Sequence, residues 1–290
     1  VNDDDTFYGA VDLKDLIIAR DYQDFETLIS TSYPYVYAEE KTGECIEELK
    51  DYSEDSIPVL SNDNKILGVI TAQDLVEAVD EEMGDDYAKL AGLTAEEDLN
   101  EPFKDSVKKR LPWLLLLLVL GLVVSSVVSI FEGVVQQITL VVAFQSLILD
   151  MAGNVGTQSL AVTIRVIMDE ALSKKDEHKL IFKEMRVGFT NGMILGVLAF
   201  VAIGVYILVF KGKSVPFSFS VSGCIGISLL FAMVVSSLVG TVVPLFFKKI
   251  NIDPAVASGP LITTVNDLVA VVSYYGIVWI LLINILQLVE

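Results

Sequence analysis

The sequence predicts an α-helical membrane protein with five transmembrane helices per chain, joined to a cytoplasmic α+β domain. Three observations predict it. First, charge and apolarity are divided along the chain. The 290 residues are 53% hydrophobic yet carry a formal net charge of −19, with a mean hydropathy of +0.58. Residues 1–103 hold 6 basic and 28 acidic side chains, net −22, whereas residues 104–290 hold 14 basic and 11 acidic, net +3. One soluble surface rarely combines such acidity with such greasiness, but an aqueous domain followed by a membrane domain does. Second, the later part contains five apolar stretches, each longer than the roughly 18 residues a helical crossing needs. Third, the acidic part repeats a strand, a helix cap and a short helix. The same composition excludes other classes. A domain of net −22 repels nucleic acid. Two cysteines, one in each half, exclude a disulfide scaffold. One histidine, His178, with two distant cysteines disfavours a zinc site.

In the acidic part, Gly9-Ala10-Val11-Asp12-Leu13-Lys14-Asp15-Leu16 matches Gly68-Val69-Ile70-Thr71-Ala72-Gln73-Asp74-Leu75 at a spacing of 59. Each copy reads as a strand, an Asp or Thr cap, and a helix with Asp three residues later. Ahead of the second copy lie a strand at Tyr35–Tyr37, a helix near Cys45–Tyr52 and a strand at Ser56–Leu60. The turn Asn62-Asp63-Asn64 then leads into a strand at Ile66–Ile70. The order is β-α-β-β-α, with the first copy present only as its tail. The expected organisation is a first-module tail at 1–20, a second module at 21–82, a connecting helix at 83–110 and a membrane domain at 111–290.

The spans read as Leu111–Phe131, Ile138–Ile164, Val187–Phe210, Phe217–Phe247 and Pro260–Val289. Pro112 falls where the first turn of such a helix tolerates it. Gly188, Gly192 and Gly196, four apart, allow another helix to approach closely. Twelve Lys and Arg fall in the segments on the side of the acidic domain and two, Lys211 and Lys213, on the other. That bias places the acidic domain in the cytoplasm and the C-terminus outside.

Two spans carry a charge, and an ionisable group at that depth faces a cavity or pathway. Asp150 leads into Met151-Ala152-Gly153-Asn154-Val155-Gly156-Thr157-Gln158-Ser159, a run of poor helix formers that predicts a broken helix. Carbonyls freed there, with the Asn154 amide, would present oxygens to a cation. Asp267 follows Thr263 and Thr264 by four and three residues, so the three share one helix face. Such oxygen-only donors suit hard cations such as Mg²⁺ or Ca²⁺. An Asp267 held by Thr hydroxyls for packing, and a proton relay, stay open beside an ion pathway. Acidic residues also cluster at Glu39, Glu40, Glu44, Glu47 and Glu48. A second cluster, Glu77, Asp80, Glu81, Glu82, Asp85 and Asp86, adjoins the link to the membrane. Either group is a solvated face or a place where divalent cations relieve repulsion. No phosphate-binding glycine loop is present to suggest ATP-driven transport.

The acidic module resembles a CBS-domain pair on Gly68-Val69-Ile70-Thr71 with Asp74. That resemblance implies an adenine nucleotide such as ATP at Thr71 and Asp74, with a helix cap as the other reading. The whole chain resembles the MgtE family of magnesium channels. The residues that carry the likeness are Arg110-Leu111-Pro112-Trp113, Gly153 through Ser159, Lys183-Glu184-Met185, Asp253-Pro254-Ala255, Ser258-Gly259-Pro260 and Thr264-Val265-Asn266-Asp267. The resemblance implies a homodimer in the cell membrane, with the second and fifth spans lining a pore for passive Mg²⁺ entry. Its pore residues would be Asp267, Asn154, Gly153, Thr263, Thr264, Asp150 and Gly259. It also implies a cytoplasmic Mg²⁺ sensor at Glu77, Asp80, Glu81, Glu82, Asp85, Asp86, Glu39 and Glu40, with the connecting helix as a plug. No enzyme activity is expected. A cation-coupled exchanger and a nucleotide-sensing receptor without transport are the other classes in view.

Overall fold

The computed structural model describes residues 1–20, 22–49, 56–95, 97, 99–137, 139–169 and 172–287. They fall into two units, Val1–Asp85 and Asp86–Glu290.

The first unit opens with the short helix α1 (Leu13–Ile18), capped by Asp12, whose carboxylate accepts from the Lys14 N–H at 2.8 Å. The strand expected before it is reduced to one bridge, Ala10 to Ser30. With no further ladder partner, an extended segment has too few backbone hydrogen bonds to register as a strand. There follow β1 (Val36–Tyr37), α2 (Thr42–Leu49), β2 (Ser56–Leu60) and β3 (Ile66–Thr71). Part of the helix expected near Cys45–Tyr52 lies outside the described residues. β1 pairs parallel with β2, with Val36 opposite Val59, and β2 pairs antiparallel with β3. The β2–β3 turn uses Asn64 at φ 58°, a conformation Asn tolerates. Val36, Leu49 and Ile57 form the core. β3 leaves Leu67 and Val69 more than half exposed. The helix α3 (Ala72–Leu90) begins after Thr71.

The end of α3 overturns the expected connecting helix at 83–110. The Leu93 N–H donates to the Ala88 carbonyl and the Gly92 N–H to the Lys89 carbonyl, both at 2.9 Å. Gly92 stands at φ 84°, so this is a Schellman stop. None of the described residues from 91 to 102 is helical, and α4 (Phe103–Ile130) begins after Pro102. Glu97 grips Arg110 through two bonds of 2.9 and 2.8 Å, and Lys109 meets Glu101 at 2.8 Å. A glycine in the left-handed region and a proline that lacks an N–H divide what the sequence reading joined. Because α4 starts eight residues before Leu111, Pro112 lies inside the helix and not in its first turn.

Past α4 come α5 (Glu132–Gln137), α6 (Thr139–Val142), α7 (Gln145–Asp169), α8 (Lys174–Phe210), α9 (Val215–Lys249) and α10 (Gly259–Val278). The last runs on as a π-helical turn, Trp279–Ile285. Five of these helical segments are long and apolar enough to cross a membrane: Phe103–Ile130, Thr139–Ile167, Lys174–Phe210, Val215–Lys249 and Gly259–Ile285. The five expected spans are therefore present.

α8 and α9 pack antiparallel along glycines. A Cβ added to Gly188 would meet the Ser237 Cβ at 2.8 Å, and one on Gly196 the Gly226 carbonyl at 2.8 Å. Side-chain hydroxyls thread three helices together. Ser159 on α7 bonds Ser237 on α9 at 2.8 Å, and Ser237 donates to the Glu184 carbonyl on α8 at 2.8 Å. The core of this unit gathers Ile148, Ile203, Ile225, Met233, Tyr274 and Tyr275.

Candidate pore and its cytoplasmic approaches

α7 contradicts the broken second span. It is one α-helix through Gly153 and Gly156, and the interruption lies earlier, at Ala143 and Phe144. There the backbone tightens to Ala143–Leu140 and Phe144–Val141 bonds, and the Tyr274 hydroxyl adds a bond to the Val141 carbonyl at 2.8 Å. The neighbouring Tyr275 hydroxyl donates to the Gln145 side chain at 2.5 Å. Carbonyls at Gly153 and Asn154 are not freed towards a cation. Both stay in the helix and accept from the Thr157 hydroxyl at 3.1 and 3.0 Å.

The glycines of α7 serve contact. A Cβ on Gly153 would press on the Thr263 methyl at 3.0 Å, and one on Gly156 would land on the Asn266 amide of α10. Gly240 of α9 lies against the Gly156 carbonyl in the same place. Tertiary packing of three helices thus outweighs the low helix propensity of glycine, which costs about 1 kcal/mol.

On α10, Ser258 caps the first turn and Pro260 follows within it. Thr263 and Thr264 donate to the Gly259 and Pro260 carbonyls, both at 2.9 Å. Their hydroxyl protons are used within the helix, which leaves oxygen lone pairs to face outward. Asp267 is half-buried on that face and makes no hydrogen bond or ion pair among the described residues. A Cβ added to Gly259 would lie 3.8 Å from the Thr157 methyl and 3.4 Å from the Leu90 carbonyl oxygen. Asp150 and Asn154 are exposed on α7 with Gln158, each four residues from the next. The structure therefore brings Gly153, Thr263, Thr157 and Gly259 together along one helix pair. It leaves Asp150 and Asn154 on an outward stripe, joined to Asp267 by no hydrogen bond.

Asn266 was quoted in the sequence only as part of a motif, yet it is fully buried with neither amide atom bonded among the described residues; Ser236 Oγ on α9 shares that state. A lone amide in the middle of an apolar span was the signal available. Lys89 was missed altogether. It reaches Asp253 at 2.8 Å and Asp86 at 3.6 Å, tying the end of α3 to the loop before α10. Nothing local in the sequence announces a pair 164 residues apart.

Of the acidic positions, Glu77, Asp80, Glu81 and Asp85 are exposed on α3, and Glu82 is partly covered. Glu82 lies beside Gly43. Glu39 is exposed after β1, and the Glu40 carboxylate accepts from the Tyr37 N–H at 3.2 Å. Among the described residues no three His, Cys, Asp or Glu side chains gather into a metal-holding group. Thr71 and Asp74 bond each other. The Thr71 N–H and hydroxyl donate to the Asp74 carboxylate at 2.8 and 2.7 Å, and the Asp74 N–H donates back to Thr71 at 3.2 Å. That is a reciprocal helix cap. The Thr71 N–H, and then its hydroxyl, hold the Asp74 carboxyl below the usual carboxylate range.

Comparison with known proteins follows this division. Residues 145–277 match the family model MgtE, described as a divalent cation transporter, and residues 25–81 match the CBS domain. A protein of Enterococcus faecalis named magnesium transporter MgtE is 34% identical over 282 residues, covering 96% of this chain and 59% of that protein. Its Bacillus subtilis namesake is 32% identical over 277 residues, with the same coverage. The one from Thermus thermophilus is 28% identical over 278 residues, 94% of this chain and 59% of its own length. The chain thus spans 59% of the length of these curated relatives.

Proposed function

We propose that the chain, whose residues 145–277 match the MgtE family of divalent cation transporters, conducts Mg²⁺ passively through a pore formed by two copies. The observation that carries this reading is the α7–α10 pair. The two spans that bear a charge pack directly on one another, and Asp267 stands half-buried between the packed and open sides of α10 without a partner. A second copy facing the first would set two Asp267 carboxylates, with the Thr263 and Thr264 oxygens, around one axis. Mg²⁺ sheds water reluctantly, so carboxylate and hydroxyl oxygens suit an ion that keeps part of its hydration shell. An inside-negative potential of 100 mV contributes about 4.6 kcal/mol to the entry of a divalent ion, enough to drive uptake without a chemical fuel. The relatives' names point to the same cargo.

In this reading the acidic unit is cytoplasmic, as the Lys and Arg distribution supports, and it restrains conduction when internal Mg²⁺ is ample. The support is charge density along α3. Since no three carboxylates gather there among the described residues, the response is that of a diffuse acidic field and weakens with salt. Neutralising Glu77, Asp80, Glu81 and Asp85 together should blunt closure by internal Mg²⁺ in patch recordings. Unchanged closure removes the acidic unit from the gate. An adenine nucleotide at Thr71 and Asp74 would have to displace their mutual cap, and calorimetry with ATP on the wild-type chain decides whether it does.

The pore is tested in vesicles that carry a Mg²⁺-sensitive dye and an imposed potential. Asp267→Ala is expected to reduce uptake to that of empty vesicles while the chain still unfolds cooperatively. Normal uptake by that variant would place the pathway elsewhere. Uptake that stops when H⁺ and Na⁺ gradients are removed would replace the channel with an ion-coupled carrier.

A further inference from the structure

Away from the α7–α10 pair, α8 and α9 enclose a groove of about 330 Å³. Its floor is made by Gly192 and Gly196 on one helix and Gly223 and Gly226 on the other, and Met193 and Ile227 form its rims. The helices touch at this level through backbone alone, since a Cβ on Gly226 would lie 2.7 Å from the Gly196 carbonyl oxygen. Missing side chains hollow the surface on the outer side of that contact. All nine lining residues are glycine or apolar, and Met193, Val197 and Ile227 are about half exposed.

Depth and charge indicate what fills it. The groove lies within two spans of high hydropathy, where the surroundings are hydrocarbon. Arg186 is the last charged residue before the apolar run Val187–Phe210, so it marks the membrane interface. It precedes Met193 by seven residues and Val197 by eleven, which sets each within about 20° of Arg186 on one face of α8. The rise from Arg186 to Met193 is about 10 Å. Lys179, a further seven residues back, extends the same line. Arg186 is exposed, stacks over Phe182 at 5.9 Å and makes no ion pair among the described residues.

We propose that this groove is a binding site for an anionic phospholipid, with one acyl chain between α8 and α9 and the headgroup phosphate on Arg186, supported by Lys179. An apolar trough opening towards an unpaired guanidinium has the layout of that amphiphile, and Arg suits phosphate in particular. The proposal does not depend on which ion the chain carries.

The test uses the full chain in vesicles, with Trp113 and Trp279 replaced by Phe and a reporter installed by Ile227→Trp. Brominated phosphatidylglycerol should quench the reporter about fivefold more effectively, per mole fraction, than brominated phosphatidylcholine, the preference expected of one basic contact. Arg186→Gln should abolish that preference. Gly223→Leu, whose Cβ meets only the Phe200 ring at 3.5 Å, should reduce quenching by both lipids. Equal quenching in the parent, or a preference that survives Arg186→Gln, overturns the proposal. Efficient self-cross-linking through Met193→Cys would also overturn it, because a second copy would then fill the groove. If the reporter variants fail to fold, retention of phosphatidylglycerol over phosphatidylcholine by the unmodified chain in native mass spectrometry gives the same decision.

Discussion

Asn266 and Gly156 meet by a contact of surfaces, without a hydrogen bond to the amide among the described residues. The amide is fully buried and rests on the bare Cα of Gly156. Gly156→Ala should therefore destabilise the chain by about 1–3 kcal/mol, the usual cost of overpacking. Asn266→Leu should be neutral or stabilising, because it removes a buried group whose unpaired desolvation costs about 1–3 kcal/mol. Denaturant midpoints in detergent, read side by side, check both. A stabilised leucine variant that no longer transports would show that the amide is kept for function. At Asp74 the argument concerns pH. Its carboxyl is held below the ordinary range in the folded chain by the Thr71 N–H and hydroxyl. The resulting stability is present above the ordinary carboxylate pKa and is lost as pH falls through the depressed value. Asp74→Asn should flatten that acid-side loss when unfolding of the CBS unit is followed against pH. An unchanged acid limb would mean that other carboxylates govern it.

At the scale of the element, helix ends decide more than helix interiors. The stop at Gly92 depends on a left-handed backbone and on room beside Pro260, whose Cγ would lie 3.3 Å from an added Cβ. Gly92→Ala should cost about 1–2 kcal/mol, visible as a lower unfolding midpoint. A midpoint equal to that of the parent would show that the link re-forms without the Schellman turn. The five spans were legible from length and apolarity alone, since no other arrangement accommodates such runs. The state of α7 was not. Gly153 and Gly156 read as helix breakers when only their own propensity is counted, and the partners that keep them helical, Thr263, Asn266 and Gly240, lie on two other helices. The break at Ala143 and Phe144 was equally hidden, because the Tyr274 hydroxyl that bonds its carbonyl comes from 133 residues away. The divided link was legible in principle, from a Gly and a Pro ten residues apart, but acidity on both sides drew them into one helix.

For the whole molecule, the division between a unit of net −22 and a remainder of net +3 was plain in the sequence, while the structural units divide earlier, between Asp85 and Asp86. The candidate pore was legible as residues but not as a surface. Asp150, Asn154 and Gln158 form a polar stripe on the exposed side of α7, beside exposed Leu147 and Val162, an arrangement that a single chain in lipid bears at a cost. The proposed pairing of two copies along that stripe would relieve it. With Cys45 and Cys224 replaced by Ala, Asn154→Cys should form a symmetric disulfide under mild oxidation in vesicles, since bridging needs Cα atoms within about 7 Å. A chain that stays uncross-linked while still transporting would rule out a two-copy pore lined there.

The adjacent tyrosines carry one more consequence. Tyr274 and Tyr275 bind the far end of α10 to α6 and to the start of α7 through two hydroxyls. At the opposite end the two helices meet through apolar packing, with Ile262 of α10 buried against Leu160 and Ile164 of α7. The helix pair is thus fastened by hydrogen bonds at one tip and by apolar packing at the other. A parting of α7 and α10 that kept the hydroxyl bonds would pivot at the tyrosines and travel furthest beside the loop that Lys89 grips through Asp253.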